Sequence, residues 1–105
     1  MKQFDAFENP NLPQRVAFPY LVVVQSDQLS EHSTRLVMPL ARLPRAPAAA
    51  PRRLSQAVVV AGETLFPAAH LCAAVPTRFL KRRVQSVRAQ ADVLRDALDA
   101  VISGI

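Results

Sequence analysis

The sequence predicts a mainly β protein that ends in one α-helix. Two apolar runs, at residues 20–24 and 36–38, consist of residue types that favour strands, and a mostly polar connection separates them. From residue 84 onward the apolar residues instead recur at steps of three and four, which is the spacing of one helix face. Short apolar runs with turn residues between them favour a small barrel or sandwich, on which the helix packs.

The run at residues 20–24, YLVVV, is the expected centre of the sheet. Every residue in it is apolar, whereas a strand with one solvent-facing side alternates with polar residues, so we expect both of its faces to be covered. The run at 36–38 is expected to pair with it and to end at Pro39, because proline has no N–H for the ladder. Residues 4–7 are expected to form a short first strand.

The middle of the chain contains a low-complexity segment and then a hairpin. Residues 41–53 are rich in alanine, proline and arginine and are expected to form an exposed, semi-extended loop. Two β runs at 57–61 and 64–66 flank Gly62 and Glu63, which predicts a hairpin that turns at these two residues. Residues 71–75 supply one more apolar segment.

The last segment predicts a helix over about residues 84–103. Its buried face is expected to consist of Val87, Ala91, Leu94, Leu98 and Val101. The opposite face is polar and consists of Arg88, Asp92, Arg95, Asp96 and Asp99. Each buried aliphatic side chain contributes about 1.5–3 kcal/mol, whereas an exposed ion pair contributes about 0.2–0.5 kcal/mol. We therefore expect packing, rather than charge pairs, to stabilise the helix.

The composition bounds the class of protein. The 105 residues suffice for one domain, expected to span residues 1–105, and half of them are hydrophobic. The net charge of +5 suits a nucleic acid or an acidic protein as partner, and the basic run at 81–83 is expected to be a solvated turn that leads into the helix. Cys72 lies in an apolar run, so a buried, inert thiol in a reducing cytoplasm is expected. No apolar stretch reaches the length that a membrane crossing needs.

Catalytic and metal chemistry find little support in the sequence. Ser26, Asp27 and His70 would form a triad only if folding brought them together, and no glycine flanks Ser26 as in a nucleophile elbow. The two histidines and Cys72 lack the spacing of metal ligands. Neither a metal nor a cofactor is expected.

Three ordered landmarks resemble a known family. They are the string at residues 19–27 (PYLVVVQSD) with the later stretch at 34–40 (TRLVMPL), the segment at 73–76 (AAVP), and the ending at 103–105 (SGI). In this order and spacing they resemble the CcdB family of bacterial toxins, which come from toxin–antitoxin modules and poison DNA gyrase. The resemblance runs from about residue 15 to the last residue.

The resemblance implies a fold and a set of partners. Family members are homodimers with an SH3-like barrel core, a small accessory antiparallel sheet and a C-terminal helix, which would place the β core at about residues 1–80. They bind the gyrase A subunit in the bacterial cytoplasm and trap the enzyme on cleaved DNA, without catalysing a reaction. A cognate antitoxin with a disordered acidic tail removes them from gyrase. Neither membrane binding nor sequence-specific DNA binding is implied.

Seven positions match target-contacting positions of the family. The resemblance implies gyrase contacts at Ser26, Gln28, Leu29, Asp99, Ser103, Gly104 and Ile105, of which the last three form a tip that inserts against gyrase. The position of Ser103 is aromatic in the best-known member and small in others. Two alternatives stay open: a degenerate, non-toxic homologue, and a ribonuclease toxin with the same barrel that cleaves messenger RNA, which the charge would suit. A nucleic-acid-binding module without catalysis rests on charge alone.

Overall fold

The computed structural model describes residues 1–42 and 56–103. In this part of the chain seven strands precede one α-helix, with bounds β1 Asp5–Glu8, β2 Tyr20–Val23, β3 Thr34–Ala41, β4 Val58–Val60, β5 Glu63–Pro67, β6 Ala73–Pro76, β7 Arg83–Ser86 and α1 Ala91–Ser103. Short 3₁₀ turns occur at Leu12–Gln14, Asp27–Leu29, Ala69–Leu71, Thr77–Phe79 and Arg88–Gln90. The predicted mainly β fold with a C-terminal helix is confirmed. From residue 43 on, the loop predicted at 41–53 lies outside the described residues.

The strands form an antiparallel sheet that curls into a nearly closed barrel. Along the sheet the order is β4-β5-β3-β2-β1-β7. The longest strand, β3, pairs along one edge with β2 and along the other with β6 in its first half and with β5 at its end. The β3–β6 pairing branches off the barrel path and forms the small accessory part of the sheet.

Alternate residues of β2 pack on opposite sides of the sheet. Val22 contributes to the main core, which also contains the fully buried Leu94 of α1. Leu21 and Val23 contribute to a second, smaller cluster with Leu80. The expectation that both faces of this run are covered is confirmed.

Pro39 does not end β3, and the sequence prediction was wrong on this point. The strand continues to Ala41, and the carbonyl of Pro39 accepts a hydrogen bond from the N–H of Ala68 at 2.9 Å. The nitrogen and the carbonyl of one strand residue point to the same edge, so the nitrogen of Pro39 faces the gap between the β6 and β5 ladders. That gap lies between Val37 and Leu40, where no ladder donor is required.

The β4–β5 hairpin turns one residue earlier than predicted. Val60 pairs with Glu63, so the turn residues are Ala61 and Gly62. Both have positive φ, at 51° and 78°, which is the combination that a two-residue type I′ turn requires. Glu63 is consequently part of β5, where it forms an ion pair with Arg42.

The helix begins later than the predicted residue 84. Residues Arg83–Ser86 form β7, which pairs with β1. The strand core therefore extends beyond residue 80, and the basic run at 81–83 leads into a strand instead of the helix. The α-helix begins at Ala91, after the 3₁₀ turn Arg88–Gln90. Residues 83–86 contain a single apolar residue, Val84, so their pattern does not decide between strand and helix, and the ladder with β1 selects the strand.

The buried face of α1 is shifted around the helix axis relative to the predicted face. It consists of Ala91, Leu94, Ala97 and Ala100. Leu98 is only half-buried at the margin of the core, and Val101 is 40% exposed. The predicted face was therefore right for Ala91 and Leu94 and wrong for Val101. No helix in residues 1–42 and 56–103 has the length and apolar character that a membrane crossing requires.

Candidate functional site

The first part of the candidate surface is the connection between β2 and β3. The hydroxyl of Ser26 accepts a hydrogen bond from the N–H of Gln28 at 3.2 Å and so caps the 3₁₀ turn Asp27–Leu29. Gln28 and Leu29 are both exposed on this turn. Three of the predicted site residues thus lie together on one exposed turn.

Asp27 and Arg88 hold this turn against the rest of the fold. Asp27 Oδ1 accepts the backbone N–H of Gln3 at 2.8 Å, and its Oδ2 lies 3.9 Å from a guanidinium nitrogen of Arg88. Arg88 also donates to the carbonyl of Gln3 at 3.3 Å, and its guanidinium lies 5.5 Å from the ring centre of Phe4. The pairing of Asp27 with Arg88 could not be predicted from the sequence, because no local motif joins residues so far apart in the chain.

The second part of the candidate surface is the last turn of α1. Asp99 and Ser103 are both exposed, and the hydroxyl of Ser103 donates to the carbonyl of Asp99 at 2.6 Å. Between them Ile102 is 80% exposed, beside the partly exposed Val101. This end of the helix therefore presents apolar surface to solvent. The predicted site residues Gly104 and Ile105 lie outside the described residues.

The two parts of the candidate surface lie at different positions along the C-terminal segment, which consists of the 3₁₀ turn Arg88–Gln90 and α1. The first connection contacts this segment at Arg88, before α1 begins, whereas Asp99 lies about 12 Å beyond Ala91 along the helix axis. Neither of two described surface cavities, of about 300 and 210 Å³, is lined by a predicted site residue. The arrangement is an exposed contact surface in two parts, unlike the concave pocket that encloses a small molecule.

The carboxylates of the strands are held by arginines. Asp5 is buried, accepts the N–H of Lys2 at 3.0 Å and lies 3.1 Å from Arg83. Burial raises the pKa of Asp5, but these two partners lower it more, so the pKa lies below its ordinary value. The other strand carboxylates are also paired, Glu8 with Arg82 and Glu63 with Arg42. These groups tie strands and turns together.

In the described part of the chain, Ser26 and Asp27 of the conceivable Ser–His–Asp triad have other hydrogen-bond partners, and His70 lies on a different turn. The Ser26 hydroxyl caps its own turn, and the Asp27 carboxylate anchors that turn. His70 is exposed on the 3₁₀ turn Ala69–Leu71. Within the described residues no group of three or more His, Cys, Asp and Glu side chains is arranged to hold a metal ion.

Cys72 is half-buried, whereas its position in an apolar run predicted a buried thiol. The side chain packs at the margin of the main core. Its partial burial raises the pKa of the thiol above the ordinary value, so little thiolate is present at neutral pH. The inert character expected for this cysteine agrees with that environment.

A comparison with known protein families covers both described parts of the candidate surface. A model of the CcdB family, described as CcdB protein, matches residues 3–104, which is nearly the entire chain. The matched range includes the turn Asp27–Leu29 and the last turn of α1. No curated protein matches the chain significantly.

Proposed function

Because this chain belongs to the CcdB family of toxin–antitoxin toxins, we propose that it binds the A subunit of DNA gyrase and traps the enzyme on cleaved DNA. The family also implies a cognate antitoxin as a partner. In this proposal the toxin acts in the bacterial cytoplasm, where it meets gyrase, and it makes and breaks no covalent bond itself. A disordered acidic tail of the antitoxin neutralises it.

The observation that carries this proposal is the exposed apolar end of α1. Ala97 and Ala100 are buried on one side of the last turns, while Ile102 on another side is 80% exposed. Together with the adjacent Val101, this side chain leaves apolar surface at the helix end that a partner protein can cover. A pocket on the partner that covers the Ile102 side chain would gain roughly 1.5–3 kcal/mol. Ser103, Gly104 and Ile105 follow directly in the sequence and complete the proposed tip.

The turn Asp27–Leu29 supplies a second, smaller contact in this proposal. Gln28 offers an amide that donates and accepts hydrogen bonds, and Leu29 offers an apolar side chain. Because Asp27 is bonded to Gln3 and paired with Arg88, the turn is held in place before a partner arrives. Binding to a turn that is already ordered costs little conformational entropy.

The functional protein is a homodimer in this proposal. Large apolar side chains are exposed elsewhere in the described part of the chain as well, among them Leu36 of β3 and, on two 3₁₀ turns, Leu71 and Phe79. A second copy of the chain would remove such surface from water. Sedimentation at micromolar concentration is expected to give twice the monomer mass. A monomer that persists at high concentration would contradict the dimer.

Growth of a bacterial host during induced expression tests the proposed target surface. The parent chain is expected to stop growth, and Ile102→Asp is expected to restore it, because a carboxylate would be desolvated in the partner's pocket. Leu12→Asp is the matched control, since Leu12 is also exposed but lies on the 3₁₀ turn Leu12–Gln14. It should leave toxicity unchanged, and thermal melting should show that both variants fold.

The same cultures distinguish the two alternatives. Cleaved messenger RNA after induction, with gyrase unaffected, would favour a ribonuclease toxin and contradict the gyrase proposal. A parent chain that folds, binds no gyrase A subunit and leaves growth unchanged would favour a degenerate homologue.

A further inference from the structure

The N-terminal turn, residues 2–5, holds a buried aromatic residue in an unusual backbone conformation. The N–H of Asp5 donates to the carbonyl of Lys2 at 3.0 Å and closes the turn. Phe4, the third residue of the turn, has a φ of 69°. A type II turn favours glycine at this position, because a Cβ atom crowds the backbone there. Another residue keeps such a conformation only where its surroundings hold it, so contacts with the rest of the fold must fix Phe4.

The backbone of Phe4 joins the two segments that carry the candidate surface. Its N–H donates to the carbonyl of Val23 at 2.6 Å, and its carbonyl accepts the N–H of Val87 at 2.7 Å. Val23 ends β2, and the connection with the turn Asp27–Leu29 follows it. Val87 directly precedes the 3₁₀ turn Arg88–Gln90, which leads into α1. One residue therefore ties the base of the first connection to the base of the C-terminal segment.

The ring of Phe4 contacts the C-terminal segment at two arginines. The guanidinium of Arg88 lies 5.5 Å from its ring centre, and that of Arg95 in α1 lies 5.1 Å from it. Cations are attracted to an aromatic ring at such distances. Arg88 also pairs with Asp27, so the ring orients a side chain that reaches the turn Asp27–Leu29. A glycine in place of Phe4 would adopt the backbone conformation more easily, but it would lack this ring.

We propose that Phe4 is a positioning residue for target binding, which holds the turn Asp27–Leu29 in a fixed place relative to α1. For the identity of the target, the gyrase A subunit, this inference rests on the proposed function. Phe4 is only 2% exposed, so it cannot touch a partner itself. It acts through Arg88 and through the neighbouring Gln3, both of which contact the Asp27 carboxylate. Parts of a surface that are fixed before binding lose little conformational entropy when the target binds.

Phe4→Leu tests this proposal in the full chain, because leucine is apolar but offers no ring to the two arginines. Backbone order parameters from ¹⁵N relaxation report the mobility of residues 26–29. They are expected to fall from about 0.85, typical of rigid backbone, toward about 0.6. Affinity for the purified gyrase A subunit is expected to fall about tenfold. Phe7→Leu is the matched control, since Phe7 is also buried but packs in the smaller cluster with Leu21 and Leu80. It should leave both quantities near the parent's values.

The two readouts separate a positioning role from a merely structural one. A more mobile turn and weaker binding in Phe4→Leu alone would support the proposal. Unchanged order parameters in Phe4→Leu, or equal changes in both variants, would overturn it, since equal changes indicate a general loosening of the core. A mobile turn with unchanged affinity would also overturn it. If the parent binds no gyrase, the proposed function fails, while the order parameters still decide whether Phe4 positions the turn.

Discussion

The side-chain amide of Gln90 pairs with the backbone of Val59 as a neighbouring strand would. The N–H of Val59 donates to Gln90 Oε1 at 2.8 Å, and Gln90 Nε2 donates to the carbonyl of Val59 at 2.9 Å. Val59 lies in β4 at one end of the sheet order, and Gln90 follows β7 at the other end. Gln85 of β7 adds a third bond by accepting the N–H of Ala61 at 2.8 Å. Glutamine side chains therefore bridge the two ends of the barrel.

Loss of the Gln90 amide should destabilise the barrel. Gln90→Ala removes two hydrogen bonds at about 0.5–1.5 kcal/mol each, so the free energy of unfolding should fall by about 1–3 kcal/mol. Gln28→Ala is the control, because Gln28 is an exposed glutamine on the turn Asp27–Leu29. Thermal or denaturant unfolding measures both variants. Equal stability of the two would show that the amide bridge does not close the barrel.

Acid should destabilise the protein through Asp5. Its pKa in the folded state lies below the ordinary value of 3.8, so the folded protein binds this proton more weakly than the unfolded chain does. The stability that Asp5 contributes is therefore fully present above about pH 5 and is lost as the pH falls through the lowered folded pKa. Denaturant unfolding of the parent and of Asp5→Asn should give a stability difference that is constant near neutral pH and shrinks in acid. A difference that does not change with pH would contradict the paired carboxylate.

Packing should outweigh ion pairing in α1. Leu94 is fully buried, and Leu94→Ala should cost about 2–5 kcal/mol, because it leaves a cavity against the sheet. Asp92 pairs with Arg95 at 3.5 Å on the exposed side of the helix, and Asp92→Ala should cost under about 1 kcal/mol. The half-buried Leu98 should give an intermediate loss. Similar melting temperatures for the Leu94 and Asp92 variants would contradict the assigned face.

Elements with a strong local signal could be predicted from the sequence. The unbroken apolar run at residues 20–24 predicted a strand covered on both faces, and the two runs around Gly62 predicted a hairpin. By contrast, β7 has only four residues, and its pairing with β1 joins opposite ends of the chain, so no local pattern indicates it. The hydrogen bonds between Gln90 and Val59 could not be predicted for the same reason, since the sequence around a glutamine does not indicate which residue its side chain will bond.

The buried face of α1 and the candidate surface could also be predicted only in part from the sequence. Three of the four buried residues of α1 are alanines, and alanine distinguishes poorly between a buried and an exposed position. Because Val101 is larger than these alanines, the prediction assigned it to the buried face, although the observed face lies part of a turn away. The positions on the turn Asp27–Leu29 came from the family resemblance, whereas the contact from Asp27 to Arg88 depends on the fold.

Trapping of purified gyrase on plasmid DNA is the measurement that tests the proposed action of the α1 end. The parent chain is expected to raise the fraction of linear DNA recovered after the enzyme is denatured, and Ser103→Trp should raise it further if the target pocket accepts an aromatic residue. A chain truncated after Ile102 should melt as the parent does, because the exposed end of α1 contributes little to the core, and should trap no gyrase. Trapping by the truncated chain at the parent's level, or none by a folded parent, would contradict the proposed mechanism.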